Sequence, residues 1–420
     1  MLCSNAKVNT SCIFSDELAR IPLAPVTFGP RTTRPDLMKR KKAATSVNKS
    51  SLKWLVTNSH SNNYGGAAMA KYNIGVDYHK KFSYMVVKDY SGKVLRHGQI
   101  QNTFDHVNNF LKPFKEDSSA VLESCRNWCV MHDWLEDIVD DVVLANPFKV
   151  KAIAEAKIKT DKIDATVLAD LLRADLVPQC YIAPRDVRDM RSLLRERMFF
   201  VRLRTMTKNR ISTIFDRYPE EVRNFKIQTD LFGKKGRLQL EEIKLRDADR
   251  ALIDRELNFI DLINVFIKEV EEVIAENFKE SKSAQHLKSI PGIGPFFAML
   301  IDAEVGDISR FKNEKKFAAY VGLVPSTYSS GGKTVNGRII KSGNKLLRWA
   351  FVEAVKPAIT HNEELRFEYD QLRKRMNWNK AKVAMARKLL TIAFKCLKEK
   401  RNFRKLNKLE LERKILMRAS

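Results

Sequence analysis

Short apolar runs of strand length punctuate residues 72–145 of the chain. Tyr72-Asn73-Ile74-Gly75-Val76-Asp77, residues 83–89, residues 94–101, residues 119–123 and Val142-Val143-Leu144-Ala145 each read as a β-strand, with Gly92 marking the second turn. Between them the apolar spacing lengthens to that of a helix. Phe104, Val107, Phe110, Leu111 and Phe114 make one helical stripe, and Trp128, Met131, Trp134, Leu135 and Ile138 make another. Further helices are expected at about 148–157 and 161–173. The order βββαβαβα is that of a ribonuclease-H-like fold, a mixed sheet covered by helices.

The pattern changes after this α/β stretch. From about 186 to 280 the chain reads as long charged helices. One stripe runs through Leu193, Leu194, Met198, Val201, Leu203, Met206 and Ile211, and another from Leu252 through Ile260, Ile263 and Phe266 to Val273. Antiparallel helices or a coiled coil are expected, serving either as an oligomerising or nucleic-acid-holding arm or as a spacer. Residues 287–311 read as helix, hairpin, helix, broken at Ile290-Pro291-Gly292-Ile293-Gly294-Pro295. A Ser/Gly-rich loop is expected at 326–337, and helices at about 343–356, 362–375 and 379–400. Residues 1–70 differ from all of this: they are rich in Ser, Asn, Thr and Pro, carry Lys39-Arg40-Lys41-Lys42 and show no sustained periodicity. The expected organisation is a disordered extension (1–70), an α/β domain (71–180), a helical or coiled-coil region (181–280), a mostly helical C-terminal domain (281–400) and a basic tail (401–420). Met69-Ala70-Lys71 immediately before the first strand resembles a translation start, so residues 1–68 are expected to be dispensable.

Charge narrows the partners. The 420 residues carry a formal net charge of +26, which favours a polyanion, nucleic acid before membrane. No apolar run approaches the roughly 18 residues of a membrane span. No compact apolar segment with a cleavage site marks a secretory signal. The six cysteines are scattered, as in a reduced, cytosolic protein rather than a disulfide framework.

Four acidic residues then stand out. Asp77 and Glu123 each end an apolar strand, and Asp161 and Asp164 open a helix in Lys159-Thr160-Asp161-Lys162-Ile163-Asp164. A spacing of three puts the last two on one helix face. Carboxylate oxygens suit Mg²⁺, and two such ions can clamp the attacking and leaving oxygens of a phosphodiester. Singly, each residue could be a turn, surface or capping residue; jointly, each falls on its own element of one fold type. Asp170 is left as a surface or supporting carboxylate. His79 either assists proton transfer or is a solvated strand-end residue. Cys125, Cys129 and His132 share a predicted helix, and core packing explains them better than metal binding, since no second pair at suitable spacing exists.

The basic half offers nucleic-acid contacts. Gly292 and Gly294 between two apolar helices resemble a helix-hairpin-helix, whose backbone N–H groups approach phosphates; a tight helix–helix turn is the alternative. In Tyr328-Ser329-Ser330-Gly331-Gly332-Lys333 a serine before paired glycines could be a nucleophile, or the segment could be a flexible loop. Lys333, Arg338, Lys341, Lys345 and Arg348 supply charge for phosphates.

Ile74-Gly75-Val76-Asp77, the strand ending at Glu123, and Lys159 to Ala165 resemble the amino-terminal domain of DEDD-type insertion-sequence transposases. Ile290 to Gly294, Tyr320-Val321-Gly322-Leu323-Val324-Pro325, Ser329 to Lys333 and Lys341 to Arg348 resemble their carboxy-terminal domain. The family is that of the serine-containing, bridge-RNA-guided recombinases of bacterial and archaeal insertion elements, and the resemblance spans about residues 72–360. It implies a RuvC-like first domain binding Mg²⁺ through Asp77, Glu123, Asp161 and Asp164. It implies a serine nucleophile, carried onto Ser330 with Ser329 as the competing choice. It also implies DNA as substrate, a non-coding bridge RNA as guide, a homo-oligomer (dimer or tetramer) and a cytoplasmic, nucleoid-associated location. A metal-dependent junction resolvase using water, or a non-catalytic nucleic-acid-binding protein, are the alternatives.

Overall fold

The computed structural model describes residues 70–154, 160–223, 230–330, 332–340 and 342–407, with single positions at 409, 410, 412, 413 and 417. The expected extension before residue 70, the end of the helix expected at 148–157, Gly331, Lys341 and part of the basic tail lie outside them. Apart from Ala70, the described residues belong to one compact unit, Lys71–Ser420.

Five strands form the sheet: β1 (Tyr72–Tyr78), β2 (Phe82–Asp89), β3 (Val94–Gln101), β4 (Ser118–Glu123) and β5 (Asp141–Ala145), in spatial order β3-β2-β1-β4-β5. β1 pairs with β2 antiparallel, from Tyr72↔Asp89 to Tyr78↔Ser83. It pairs with β4 in parallel, up to Val76↔Leu122, and β4 pairs with β5 in parallel, up to Glu123↔Ala145. Parallel pairing sets the carboxyl ends of β1, β4 and β5 along one edge.

Period-two alternation decides what each face buries. Ile74, Val76, Met85, Val87, Ala120 and Leu122 point to one side, where they pack with Val107 and Leu111 of α1 (Phe104–Leu111) and Met131 and Leu135 of α2 (Trp128–Glu136). Val121 and Ala145 point to the other side. There they meet Val150 of α3 (Pro147–Ile153) and Leu168 and Leu171 of α4 (Asp161–Arg173). Gly75 shares this second side, and α4 lies so close that a Cβ at Gly75 would sit 2.0 Å from the Ala165 carbonyl oxygen.

Beyond the sheet the chain is mostly helical. α5 (Arg185–Phe215) is followed by α6 (Pro219–Arg223), α7 (Lys234–Glu242) and α8 (Asp247–Glu280). Arg197–Glu271 and Arg210–Glu256 pair α5 with α8, and Arg217, just past the end of α5, pairs with Asp249; as one number rises the other falls, so the two helices run antiparallel. Ile253, Ile260, Ile263, Ile267 and Ile274 of α8 are buried, a three-and-four spacing that keeps one seam against a partner helix. Ile211, Ile214, Phe215, Leu240 and Ile243 close the far end of this arm.

The C-terminal unit has α9 (Lys282–Lys288), α10 (Pro295–Val305), α11 (Glu314–Val321), β6 (Pro325–Ser330), β7 (Lys333–Ile339), α12 (Lys345–His361), α13 (Glu363–Arg375) and α14 (Trp378–Lys398). Phe317, Phe351, Leu389 and Leu390 sit in its core, together with Leu194 of α5 and Ile274 of α8, so the arm is rooted there. The stretch expected to be a Ser/Gly loop is instead an antiparallel hairpin, running from Pro325↔Ile339 to Ser330↔Lys333. Its side chains are largely exposed on both faces, so it lacks the apolar alternation by which a strand is recognised.

Candidate active site

Each acidic residue reaches the site through its own element. Asp77 lies one position beyond the last β1–β4 pair, Val76↔Leu122, and Glu123 lies one position beyond it on β4. The two therefore stand side by side at the carboxyl ends of neighbouring parallel strands. Both alternate with Gly75 and Val121 and so face α4. Asp161 and Asp164 occupy the first turn of α4, where the helix dipole favours negative charge. Thr160 fixes that start, its hydroxyl oxygen accepting from the Ile163 N–H at 3.2 Å.

Close packing brings these elements into register. Ala165 and Ala169 of α4 face Gly75, where a Cβ would also lie 2.7 Å from the Ala169 nitrogen. Two residues along a strand cover about 6.6 Å and four along a helix about 6 Å. The step from Gly75 to Asp77 thus matches the step back from Ala165 to Asp161, and the carboxylates meet. The other end of α4 is braced by Lys88 of β2, whose buried ammonium donates to Asp170 at 2.6 Å. Asp170 is accordingly a supporting residue outside the cluster.

Burial pushes the Asp77 carboxyl above its ordinary range, and the Asp164 and Asp161 carboxylates push it the same way, against a lowering influence of His79. The Cys125 thiol is raised first by burial and then by Glu123 and Asp77, which places both carboxylates within electrostatic reach of one sulfur. His79 joins the group directly. Its Nε2 lies 3.1 Å from Asp77 Oδ2 and 3.3 Å from Asp161 Oδ1. Asp77, His79 and Asp161 each direct one ligand atom into a space where all lie within 4.8 Å of one another. The two-residue offset from Asp77 at a strand end was the sequence signal for His79; nothing local favours a bridge to Asp161.

The basic candidates fall elsewhere. Ser329, Ser330, Lys333 and Arg338 are exposed on the β6–β7 hairpin, with Gly332 at a φ of +77° in its turn and open space around it. Gly292 and Gly294 separate into different roles. Gly292, at a φ of +86°, faces α12 so tightly that a Cβ would lie 2.3 Å from the Ala354 oxygen, so its backbone serves helix packing. Gly294 precedes α10 and is exposed, with nothing within 4 Å of where a Cβ would lie. Arg348 donates to the Val321 and Ile340 carbonyls at 3.3 and 3.4 Å, bracing the chain around Gly322.

α5 ties the sheet to the C-terminal unit. Arg188 pairs with Asp133 of α2 at 2.7 Å. Arg191 donates to the Ala303 carbonyl at 2.7 Å, and Arg195 pairs at 2.7 Å with Glu304, which is only 2% exposed. The other Glu304 oxygen accepts from the Asn344 amide at 2.9 Å, while Asn344 caps α12. The spacing of Arg188, Arg191 and Arg195 puts all three on one face of α5.

Comparison with known proteins finds two family matches in chain order. Residues 74–219 match a transposase model of the DEDD, IS110 group, and residues 284–370 match the model described as the transposase IS116/IS110/IS902 family. The chain is 28% identical over 276 residues to the transposase for insertion sequence element IS1111A of Coxiella burnetii, covering 62% of this chain and 72% of that one. It is 26% identical over 305 residues to the putative transposase y4pF/y4sB of Sinorhizobium fredii, covering 68% and 74%. It is 32% identical over 135 residues to the transposase for insertion sequence element IS1328 of Yersinia enterocolitica, covering 30% and 40%.

Proposed function

The chain belongs to the IS116/IS110/IS902 family of transposases, and from that premise we propose that it cleaves and rejoins DNA strands of an insertion element through a covalent serine intermediate assisted by Mg²⁺. The observation that supports this reading is the gathering of Asp77, His79 and Asp161 at one end of a mixed sheet, with Glu123 next to Asp77 on β4 and Asp164 in the same first turn of α4 as Asp161. Its order and directions agree with a RuvC-like domain.

The donor set fits a hard divalent cation. Carboxylate oxygens are what Mg²⁺ selects, and burial, followed by the neighbouring Asp164 and Asp161 carboxylates, disfavours the charged form of Asp77, a cost that a bound cation would offset. Asp77, Glu123, Asp161 and Asp164 would hold Mg²⁺, which would supply positive charge against the scissile phosphate. The side chains then have distinct tasks. The Ser330 hydroxyl attacks phosphorus, forming an Oγ–P bond as the P–O bond to the leaving strand breaks. Conserving the phosphoester lets a second strand end reverse the step without an energy cofactor. Lys333 and Arg338 hold phosphate oxygens, and Gly332 leaves room for the backbone. No Asp, Glu or His lies between Pro325 and Ile340, so the serine proton goes to a group from another part of the protein. A serine and carboxylates from different subunits of a dimer or tetramer would meet that need. A non-coding bridge RNA pairing with the DNA would supply sequence choice, while the protein's net charge of +26 holds the nucleic-acid backbone.

The test is a denaturing gel for a protein–DNA adduct, with the element's RNA, donor and target DNA and Mg²⁺. Wild type traps an adduct; Ser330→Ala binds nucleic acid but traps none; Ser329→Ala still reacts. The opposite pattern would move the nucleophile to Ser329. Strand cutting by both variants without adduct would replace this reading by the water-using resolvase.

A further inference from the structure

We propose that Phe148 is a stacking wedge that holds an unpaired DNA base at the rim of the carboxylate site, an inference that rests on the functional reading above. Phe148 is 89% exposed, more than any other large apolar residue among the described positions. A single exposed apolar side chain is ordinary on a protein surface; its position is what distinguishes this one. Ala145, which ends β5, is paired with Glu123. Phe148 follows three residues later, a span of at most about 11 Å, from a strand about 4.8 Å away.

The local structure fixes where the ring points. Asn146 opens α3, its side-chain oxygen accepting from the Lys149 N–H at 3.2 Å, while its own N–H donates to the Pro178 carbonyl at 2.9 Å. Val150 plugs the helix into the core beside Val121, two residues before Glu123 on the same sheet face. Two helical residues correspond to about 200° of rotation. Phe148 is therefore directed away from that core, into solvent.

Charge selects the occupant. Around the helix Lys149 lies about 100° to one side of Phe148 and Lys151 about 60° to the other; both are exposed, and α3 contains no acidic residue. Ile153, the other large apolar residue exposed on this helix, lies about 140° round from Phe148. The two do not merge into a patch for an apolar protein partner. An isolated aromatic between two cations suits one base face with phosphates on either side. The base must be unpaired, since a ring at the edge of a duplex cannot reach a base face without unstacking it.

The experiment measures binding of the full-length protein, together with the element's RNA, to fluorescent forked DNA in EDTA, so that no strand is cut. Each unpaired nucleotide next to the branch is replaced in turn by an abasic one. Wild type is expected to lose about tenfold in affinity at one position. Phe148→Ala should bind the intact and abasic forks equally, Phe148→Trp should restore the discrimination, and thermal melting should show all three folded. Discrimination by Phe148→Ala equal to that of wild type would overturn the proposal, as would no discrimination by wild type at any position. Failure of wild type to bind any fork would instead overturn the functional reading on which it rests.

Discussion

Gly75→Ala tests how the carboxylates are brought together. The added methyl would begin 2.0 Å from the Ala165 oxygen and 2.7 Å from the Ala169 nitrogen. Both are backbone atoms of α4, so no side-chain rotation relieves the contact. Ordinary contact begins near 3.4 Å, so α4 must retreat by about 1.4 Å, or β1 must bend by as much. Overpacking of this kind costs about 1–3 kcal/mol. Because α4 carries Asp161 and Asp164, the retreat also opens the site, and a 1 Å misplacement can cost about 10²-fold in rate. We expect Gly75→Ala to lose about 2 kcal/mol by urea denaturation and about 100-fold in strand cleavage, with forked-DNA binding retained. Gly98→Ala is the control, since its methyl would meet only Phe110, at 3.6 Å. If Gly75→Ala matched Gly98→Ala in both stability and cleavage, α4 would not be seated on β1 as described.

Other changes read other parts of the structure. The raised Asp77 carboxyl binds its proton more tightly folded than unfolded, so its charge burdens the fold above its raised pKa and the burden fades as pH falls toward the ordinary 3.8. Asp77→Asn should therefore be at least as stable as wild type at pH 7 without metal, show a weaker gain on acidification, and fail to cleave; a clear loss of stability at pH 7 would contradict this. Gly292→Ala combines a left-handed residue with a 2.3 Å contact to Ala354 and should cost about 2–4 kcal/mol. Gly294→Ala should leave melting unchanged, and any loss of DNA affinity it shows would mark a phosphate approach. Arg195→Ala leaves the buried Glu304 carboxylate with Asn344 as its remaining described partner; because Arg195 is half exposed, about 2 kcal/mol is expected rather than the 3–5 of a fully buried pair. A melting temperature unchanged from wild type would show that this pair does not hold α5 to α10.

Local sequence determined a good deal of this protein. Short apolar runs of strand length marked β1, β2, β4 and β5, because a strand covered on both faces carries apolar side chains in succession. Thr160 followed by Asp161 and Asp164 marked the start of α4, because orphan N–H groups and the helix dipole select such residues. The ends of β1 and β4 were legible too, and with them Asp77 and Glu123. What these positions share was not local. Their adjacency depends on parallel pairing of β1 with β4 across an intervening hairpin and helix, and only the tertiary structure sets that register. The bridge of His79 to Asp161, the seating of α4 on Gly75 and the turning of Gly292 into α12 likewise depend on what another segment brings near. A glycine reads the same in sequence whether it faces solvent, a phosphate or a helix. The β6–β7 hairpin escaped for the complementary reason: backbone hydrogen bonds pair its strands while its side chains remain largely in water, so folding left no apolar pattern in its residues.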